Sequence, residues 1–266
     1  MLKQRILTAV VLAVLALGSV IFLPPAAFSV LIALIIMLGA WEWANLSGVE
    51  DTVARVGYLL LVGAVCWFVK GVSAYVLLAV SAVWWLVAFA LVRGYPASAR
   101  FCRSRLLRLV MGVLTLVPAW FALSKLKFYD QQGWTIMLVF LLVWAADIGA
   151  YFAGKNFGRH KLAALVSPKK TVEGLVGGLL MSLFTAACVG LYYDLSFVRG
   201  LGLLMLSITV VLVSVLGDLF ESMLKRERGI KDSSNLLPGH GGVLDRIDSL
   251  TAAVPVFTLA LIVGGS

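Results

Sequence analysis

Long apolar runs alternate with short polar connectors along the whole chain. Segments 6–23, 26–46, 56–69, 72–92, 106–124, 134–152, 171–193, 201–220 and 249–263 each approach the ~20 residues that a helix needs to cross a hydrocarbon core. Lipid offers no partner for backbone N–H and C=O groups, so runs of this kind cross it as helices. The pattern predicts an all-α, polytopic transmembrane helical bundle of about nine spans. The third and ninth runs are the shortest, and the third and fourth meet through Lys70-Gly71, which requires a tight turn. The first run follows Lys3 and Arg5 and has the look of a signal peptide. It ends in Leu23-Pro24-Pro25 without a small-x-small cleavage site, which predicts a retained span.

Composition agrees: 62% of the 266 residues are hydrophobic, 13% are charged and the mean hydropathy is +1.02, too little polar surface for a soluble fold. The net charge of +9 carries its information in its placement. With the N-terminus inside, the inner segments hold eighteen of the 22 Lys and Arg residues, and the outer segments hold only Lys70, Lys125, Lys127 and Arg199. This bias predicts a cytoplasmic N-terminus and a periplasmic C-terminus, and it removes any need to invoke nucleic acid. Arg93, Arg100, Arg103, Arg105 and Arg108 belong to the same topogenic pattern. Cys66, Cys102 and Cys188 have neither ligand spacing nor a pairing scheme, and read as packing residues. His160 and His240 lack the spacing of metal ligands.

One connector departs from the rest. Between the eighth and ninth runs, residues 222–248 read SMLKRERGIKDSSNLLPGHGGVLDRID and concentrate both signs of charge. Such mixed density suits metal-bound polyphosphate chemistry, although a solvated loop is the plainer reading of mixed charge alone. Asp218, Glu221, Ser222 and Lys225 share one helix face if the eighth helix continues, and Asp245 and Asp248 share another if a helix starts there. The PGHGG run, with Gly241 and Gly242, lets backbone approach a ligand closely.

A second polar loop follows the sixth run, on the same predicted side. Its Ser167-Pro168-Lys169-Lys170-Thr171 precedes a helix start, where free amides, the helix dipole and two lysines suit phosphate oxygens; a capped helix with topogenic lysines would look the same. Asp147, inside the apolar WAADIGAYF run, favours the functional reading, because an ionisable group at membrane depth needs a polar cavity or a partner. Glu42, flanked by Trp41 and Trp43, fits a membrane edge equally well and is left out of the site. Gly174 and Gly178 have the spacing of close helix packing. These features divide the chain into a scaffold of four spans (1–92), a basic loop with the fifth span (93–133) and a catalytic region with two polar loops (134–266).

The pattern Ser222-x-Leu224-Lys225-Arg226, then Lys231-Asp232-x-Ser234, then Leu237-Pro238-x-His240-Gly241-Gly242-Val243-x-Asp245-Arg246-Ile247-Asp248 resembles the signature of the phosphatidate cytidylyltransferases, the CDP-diacylglycerol synthases, of bacterial type. The resemblance extends to residues 147–158 and 167–174, and to Pro24-Pro25, Ala40-Trp41-Glu42-Trp43 and Leu46-Ser47-Gly48. It implies a multi-pass inner-membrane enzyme, with its site facing the cytoplasm, that joins CTP to phosphatidic acid and releases pyrophosphate. It also implies magnesium, with a second cation allowed. By the family's motif Asp218 and Asp245 are the expected metal ligands, with Asp248 and Glu221 as further candidates. Asp218, Asp245, Lys225, Lys231 and Arg246 are the expected catalytic groups. Ser167, Lys169, Lys170, Thr171, Ser222, Arg226, His240, Gly241, Gly242 and Asp147 are the expected substrate contacts. The partners so implied are CTP, phosphatidic acid and membrane lipids, and a homodimer is compatible with them.

The chemistry needs no general base, because a phosphate monoester with a second pKa near ~6 is already anionic at neutral pH. What it needs is cationic stabilisation where two anions meet. A CTP- or ATP-dependent lipid kinase would use the same parts, and a cation-coupled transporter built on Asp147 and Asp218 is a third reading, which calls for inverted repeats that the sequence does not display. The geometric expectation is that Asp147, Asp218 and Asp245 line one cavity walled by spans six to nine, with spans one to three standing apart.

Overall fold

The structure is a computed structural model that describes residues 2–237 and 239–264. Pro238 of the glycine-rich run lies outside the described residues, as do the side chains of Lys3 and Arg5. The chain forms helices α1 (Leu2–Phe22), α2 (Pro25–Leu46), α3 (Thr52–Phe68), α4 (Ala74–Arg93), α5 (Ala99–Cys102), α6 (Arg105–Tyr129) and α7 (Trp134–Phe157), a hairpin of β1 (Lys161–Ala163) and β2 (Ser167–Thr171), and helices α8 (Val172–Tyr192), α9 (Phe197–Arg228) and α10 (Leu244–Val263). Eight of these helices are long and apolar enough to cross a membrane, and α1 contributes a shorter apolar stretch, Val10–Phe22. The protein is an all-α polytopic membrane protein. Its many exposed Val, Leu and Phe side chains are what a lipid-facing surface requires.

Helix starts follow local chemistry. Pro24-Pro25 opens α2, Asp51 caps α3 by accepting from the Ala54 N–H at 2.7 Å, and Thr171 caps α8 by accepting from the Gly174 N–H at 3.1 Å. The tight turn at Lys70-Gly71 is a single turn of 3₁₀-helix. The long helix α9 ends at Gly229, whose φ of +74° lies in the left-handed region. Its 32 residues span ~48 Å, against a ~30 Å hydrocarbon core, so it exceeds a single crossing by about three turns, the length of its charged end from Asp218 to Arg228.

Three expectations are corrected. The eighth helix does not end with its apolar run at residue 220, because the polar face of Glu221 and Lys225 is buried against α10 and sustains the helix through the first charges of the connector. The loop after the sixth span is no open turn into a helix. It folds back as an antiparallel hairpin with Lys161 paired to Thr171 and Ala163 to Ser167. The third correction concerns α2, which does not stand apart: Trp43 packs beside Phe220 of α9, whose ring also meets Trp84 and Trp85 of α4 at 5.4 and 6.0 Å. Trp43 Nε1 donates to the Arg108 carbonyl of α6 at 2.7 Å.

The most extensive helix pairing is α7 on α8, which the small residues of both make close. A Cβ at Gly177 would meet Gly149 and Ala153, and one at Gly178 would meet the Ala146 carbonyl. Likewise a Cβ at Gly217 would meet the Asp248 carbonyl and Ala252, so α9 and α10 touch where the adjacent Asp218 needs to lie near Asp248.

Candidate functional site

A cavity of about 400 Å³ opens between α7, the hairpin, α8 and α9. Small-molecule sites occupy roughly this range. Asp147 comes to its wall from α7, Lys169, Lys170 and Thr171 from the end of β2, and Asp218 from α9. Close α7–α8 packing brings Asp147 and the β2–α8 junction together, and the hairpin folds the two lysines over α9. Lys170 Nζ lies 2.7 Å from Asp218 Oδ2, and Ser222 Oγ donates to Asp218 Oδ1 at 3.1 Å. Lys169 is exposed at the rim.

Asp245 does not reach this wall, contrary to the expectation of three carboxylates lining one space. It lies in the first turn of α10, with its acceptor capacity committed. Oδ1 accepts from Lys225 Nζ at 2.6 Å, and Oδ2 accepts from the Ser233 N–H at 2.9 Å, the Ser233 hydroxyl at 3.0 Å and the Gly242 N–H at 2.7 Å. Lys225 also stands 3.2 Å from Glu221 Oε1, an ion pair without hydrogen-bond alignment, so both buried Glu221 oxygens lack a hydrogen-bond donor. Asp248 is within electrostatic reach of Asp218, Lys225 and Lys170, and Asp147 within that of Asp218, Lys170 and Arg246. The five carboxylates therefore form one electrostatic network with three cationic side chains, Lys170, Lys225 and Arg246. Among the described residues no group of three or more such side chains is arranged to ligate a metal directly.

Other expected residues serve the loop more than the cavity. Arg226 Nε donates to the Val166 carbonyl at 3.2 Å and ties α9 to the hairpin tip. Arg246 donates twice to the His240 carbonyl, at 3.1 and 2.9 Å, while His240 Nδ1 is buried without a hydrogen-bond partner. Gly241 has φ +79°, and a Cβ there would crowd Asp245 Oδ2, so only glycine lets this backbone close over the carboxylate. Ser167 opens β2 at the hairpin turn, and Lys231 is exposed on the loop.

The sequence reading missed Glu42. It is 2% exposed, and its carboxylate accepts four hydrogen bonds from the far connector: Ser234 Oγ at 2.6 Å, the Val243 N–H at 2.9 Å, Ser233 Oγ at 2.9 Å and the Leu244 N–H at 2.8 Å. The usable signal was the cost of a carboxylate within an apolar run, the argument that singled out Asp147. A second cavity, an apolar groove of about 810 Å³, lies between α4, α9 and the hairpin and shares Leu162, Leu175 and Val215 with the polar one.

Residues 3–263 match the family model described as the cytidylyltransferase family. The chain belongs to the cytidylyltransferase family. A relative from Pseudomonas aeruginosa named phosphatidate cytidylyltransferase is 51% identical over 269 residues, covering 100% of this chain and 98% of its own. One of the same name from Haemophilus influenzae is 40% identical over 284 residues, 97% of this chain and 98% of its own. A third, from Staphylococcus saprophyticus, is 46% identical over 127 residues, 48% of each chain. In this cytidylyltransferase the two polar stretches singled out by sequence touch where Arg226 donates to the Val166 carbonyl, and Lys170 of the first pairs with Asp218 just ahead of the second.

Proposed function

We infer that this protein is a phosphatidate cytidylyltransferase, which joins CTP and phosphatidic acid to give CDP-diacylglycerol and pyrophosphate for phospholipid synthesis. The observation that carries the reading is likeness over the full chain to relatives of that name. A lipid phosphate oxygen attacks the α-phosphorus of CTP, the new P–O bond forms as the α–β bridge breaks, and pyrophosphate leaves with the electron pair. The nucleophile is already anionic, so no side chain has to remove a proton. The protein's task is to hold two anions in line and to offset the charge gathering on the leaving group.

Lys169 and Lys170 would take the nucleotide's phosphates, a reading supported by their position in the cavity lining beside the α8 N-terminus. Lys170 already answers a carboxylate, so a phosphate arriving in the cavity competes with Asp218 for the same ammonium. The carboxylate oxygens at the cavity suit a hard divalent cation such as magnesium. Asp218 is the carboxylate placed to hold it at the cavity, with Asp248 behind; bound there, it would neutralise charge on the phosphates. Asp245, Lys225 and Glu221 lie further back and fix the position of Asp218 through α9 and α10.

The apolar groove suits the lipid tails, since it shares Leu162, Leu175 and Val215 with the polar cavity and Arg93 lies among its lining residues. The eighteen-to-four distribution of Lys and Arg supports a site facing the cytoplasm of a bacterial inner membrane, the compartment that holds CTP. Purified protein given CTP labelled at the α-phosphate, phosphatidic acid and magnesium should transfer label to lipid and release pyrophosphate. Release of a nucleoside diphosphate would mean a lipid kinase, and absence of any labelled lipid would refute the assignment.

A further inference from the structure

We propose that Glu42 is a positioning residue for the reaction, holding Asp245 and the first turn of α10 in place from the second transmembrane helix. The four donors that its carboxylate accepts all come from two short segments that lead up to Asp245, residues 233–234 and 243–244, 191 to 202 positions away in sequence. Helix α10 has no capping side chain of its own, because its first flanking residue is Val243. Glu42 supplies that acceptor to the Val243 and Leu244 N–H groups, which would otherwise be unpaired in an apolar setting.

Capping alone would need neither serine. Ser233 Oγ lies 2.9 Å from Glu42 Oε2 and 3.0 Å from Asp245 Oδ2, and a hydroxyl has one proton to give. The two carboxylates therefore share that proton, and the position of one sets the position of the other. The Ser233 N–H donates to the same Asp245 oxygen, and Asn45, one turn beyond Glu42, donates to the Ser233 carbonyl at 3.4 Å. A Cβ at Gly242 would run into both Ser233 Oγ and the Glu42 carboxylate, so the clamp leaves no room for a side chain. Glu42 is itself rigidly held, because the neighbouring Trp43 is buried and bonded to α6. The chain of contacts runs from Glu42 through Ser233 to Asp245 and Lys225, and ends at Glu221.

The test uses the full-length protein in detergent, with Glu42→Gln, Ser233→Ala and the double variant. Glutamine keeps the size but presents an NH₂ to donors. The first readout, amide hydrogen exchange, does not depend on the assigned activity: exchange at Ser233, Val243 and Leu244 should rise about tenfold or more in Glu42→Gln. The second readout rests on the cytidylyltransferase reading: kcat should fall about 30-fold or more, while KM for CTP and for phosphatidic acid moves less than about threefold. Adding Ser233→Ala to Glu42→Gln should cost no more than about a further twofold, because both act along one path. Unchanged exchange, an unchanged kcat or additive losses would overturn the proposal. If Glu42→Gln fails to fold, Ser233→Ala decides, since it removes only the bridge; wild-type exchange and kcat in that variant would also overturn it. If the wild type forms no CDP-diacylglycerol, the activity assignment fails and the exchange readout still decides the role of Glu42.

Discussion

Replacing Lys225 with methionine keeps the aliphatic volume and removes one positive charge from the centre of the acidic network. Lys225 is bonded to Asp245 at 2.6 Å and paired with Glu221 at 3.2 Å, and the three side chains are 9%, 8% and 3% exposed. Its loss leaves Glu221 and Asp245 facing each other with Asp248 nearby and no cation between them. Removing one partner of a buried ion pair costs roughly 3–5 kcal/mol, which at ~2–4 °C per kcal/mol for a chain of this size is a fall in Tm of roughly 6–20 °C. The fall should lie at the lower end, because a carboxylate left without its cation can take up a proton. Thermal unfolding in detergent, followed by fluorescence of the eight tryptophans, measures it. The loss should persist at high salt, since a buried pair is little screened, and adding Glu221→Gln to Lys225→Met should restore part of it by removing one of the uncompensated carboxylates. A Tm within ~2 °C of wild type for Lys225→Met would refute the argument that this ammonium holds the network together.

Asp245→Asn should insert and fold with reduced stability but lose turnover by about 100-fold or more, because one face of the new amide opposes donors; near wild-type activity in detergent would remove Asp245 from the catalytic arrangement. Lys169→Ala and Lys170→Ala should each raise KM for CTP by about tenfold, and KM for phosphatidic acid by less, as expected for loss of a charge-assisted contact to the nucleotide. Initial rates at varied concentrations of each substrate check this, and equal effects on both would refute it. Gly177→Val should destabilise the protein by ~1–3 kcal/mol, because its Cβ would lie against Gly149 and Ala153 where α8 meets α7. An unchanged Tm in detergent would show that this contact yields.

The helices were legible because lipid leaves the backbone one solution and the apolar runs record it. Boundaries were less so where polar faces are buried: Glu221 and Lys225 read as loop charges until α10 covers them. The two loops were read together because the basic residues put them on one side of the membrane, Asp147 at membrane depth called for a polar partner, and the signature motif covers both. The hairpin was missed because Ser167 to Thr171 has helix-cap chemistry, and its pairing to Lys161 depends on residues beyond any local pattern. Glu42 was missed for the same reason on a larger scale. Sequence gives the cost of burying a carboxylate, but the four donors that offset that cost lie about two hundred positions away.

The two aspartates that the motif singles out are not equivalent in this arrangement. Asp245 already receives four hydrogen bonds, so any new ligand has to displace an interaction that also holds the connector and α10. Asp218 faces the cavity and is held by one lysine and one serine hydroxyl. Each of those contacts is a single interaction that a side-chain rotation would break, and a phosphate in the cavity would offer Lys170 an alternative anion. The exchangeable acceptor therefore belongs at Asp218, and the fixed one at Asp245. That division accounts for the length of the supporting chain: the signature connector has too little apolar surface to hold a carboxylate in place by packing, so it borrows a buried glutamate from α2 and a buried lysine from α9. If phosphates draw Lys170 away from Asp218, as proposed above, the site tolerates that change only if the groups behind it do not move with it.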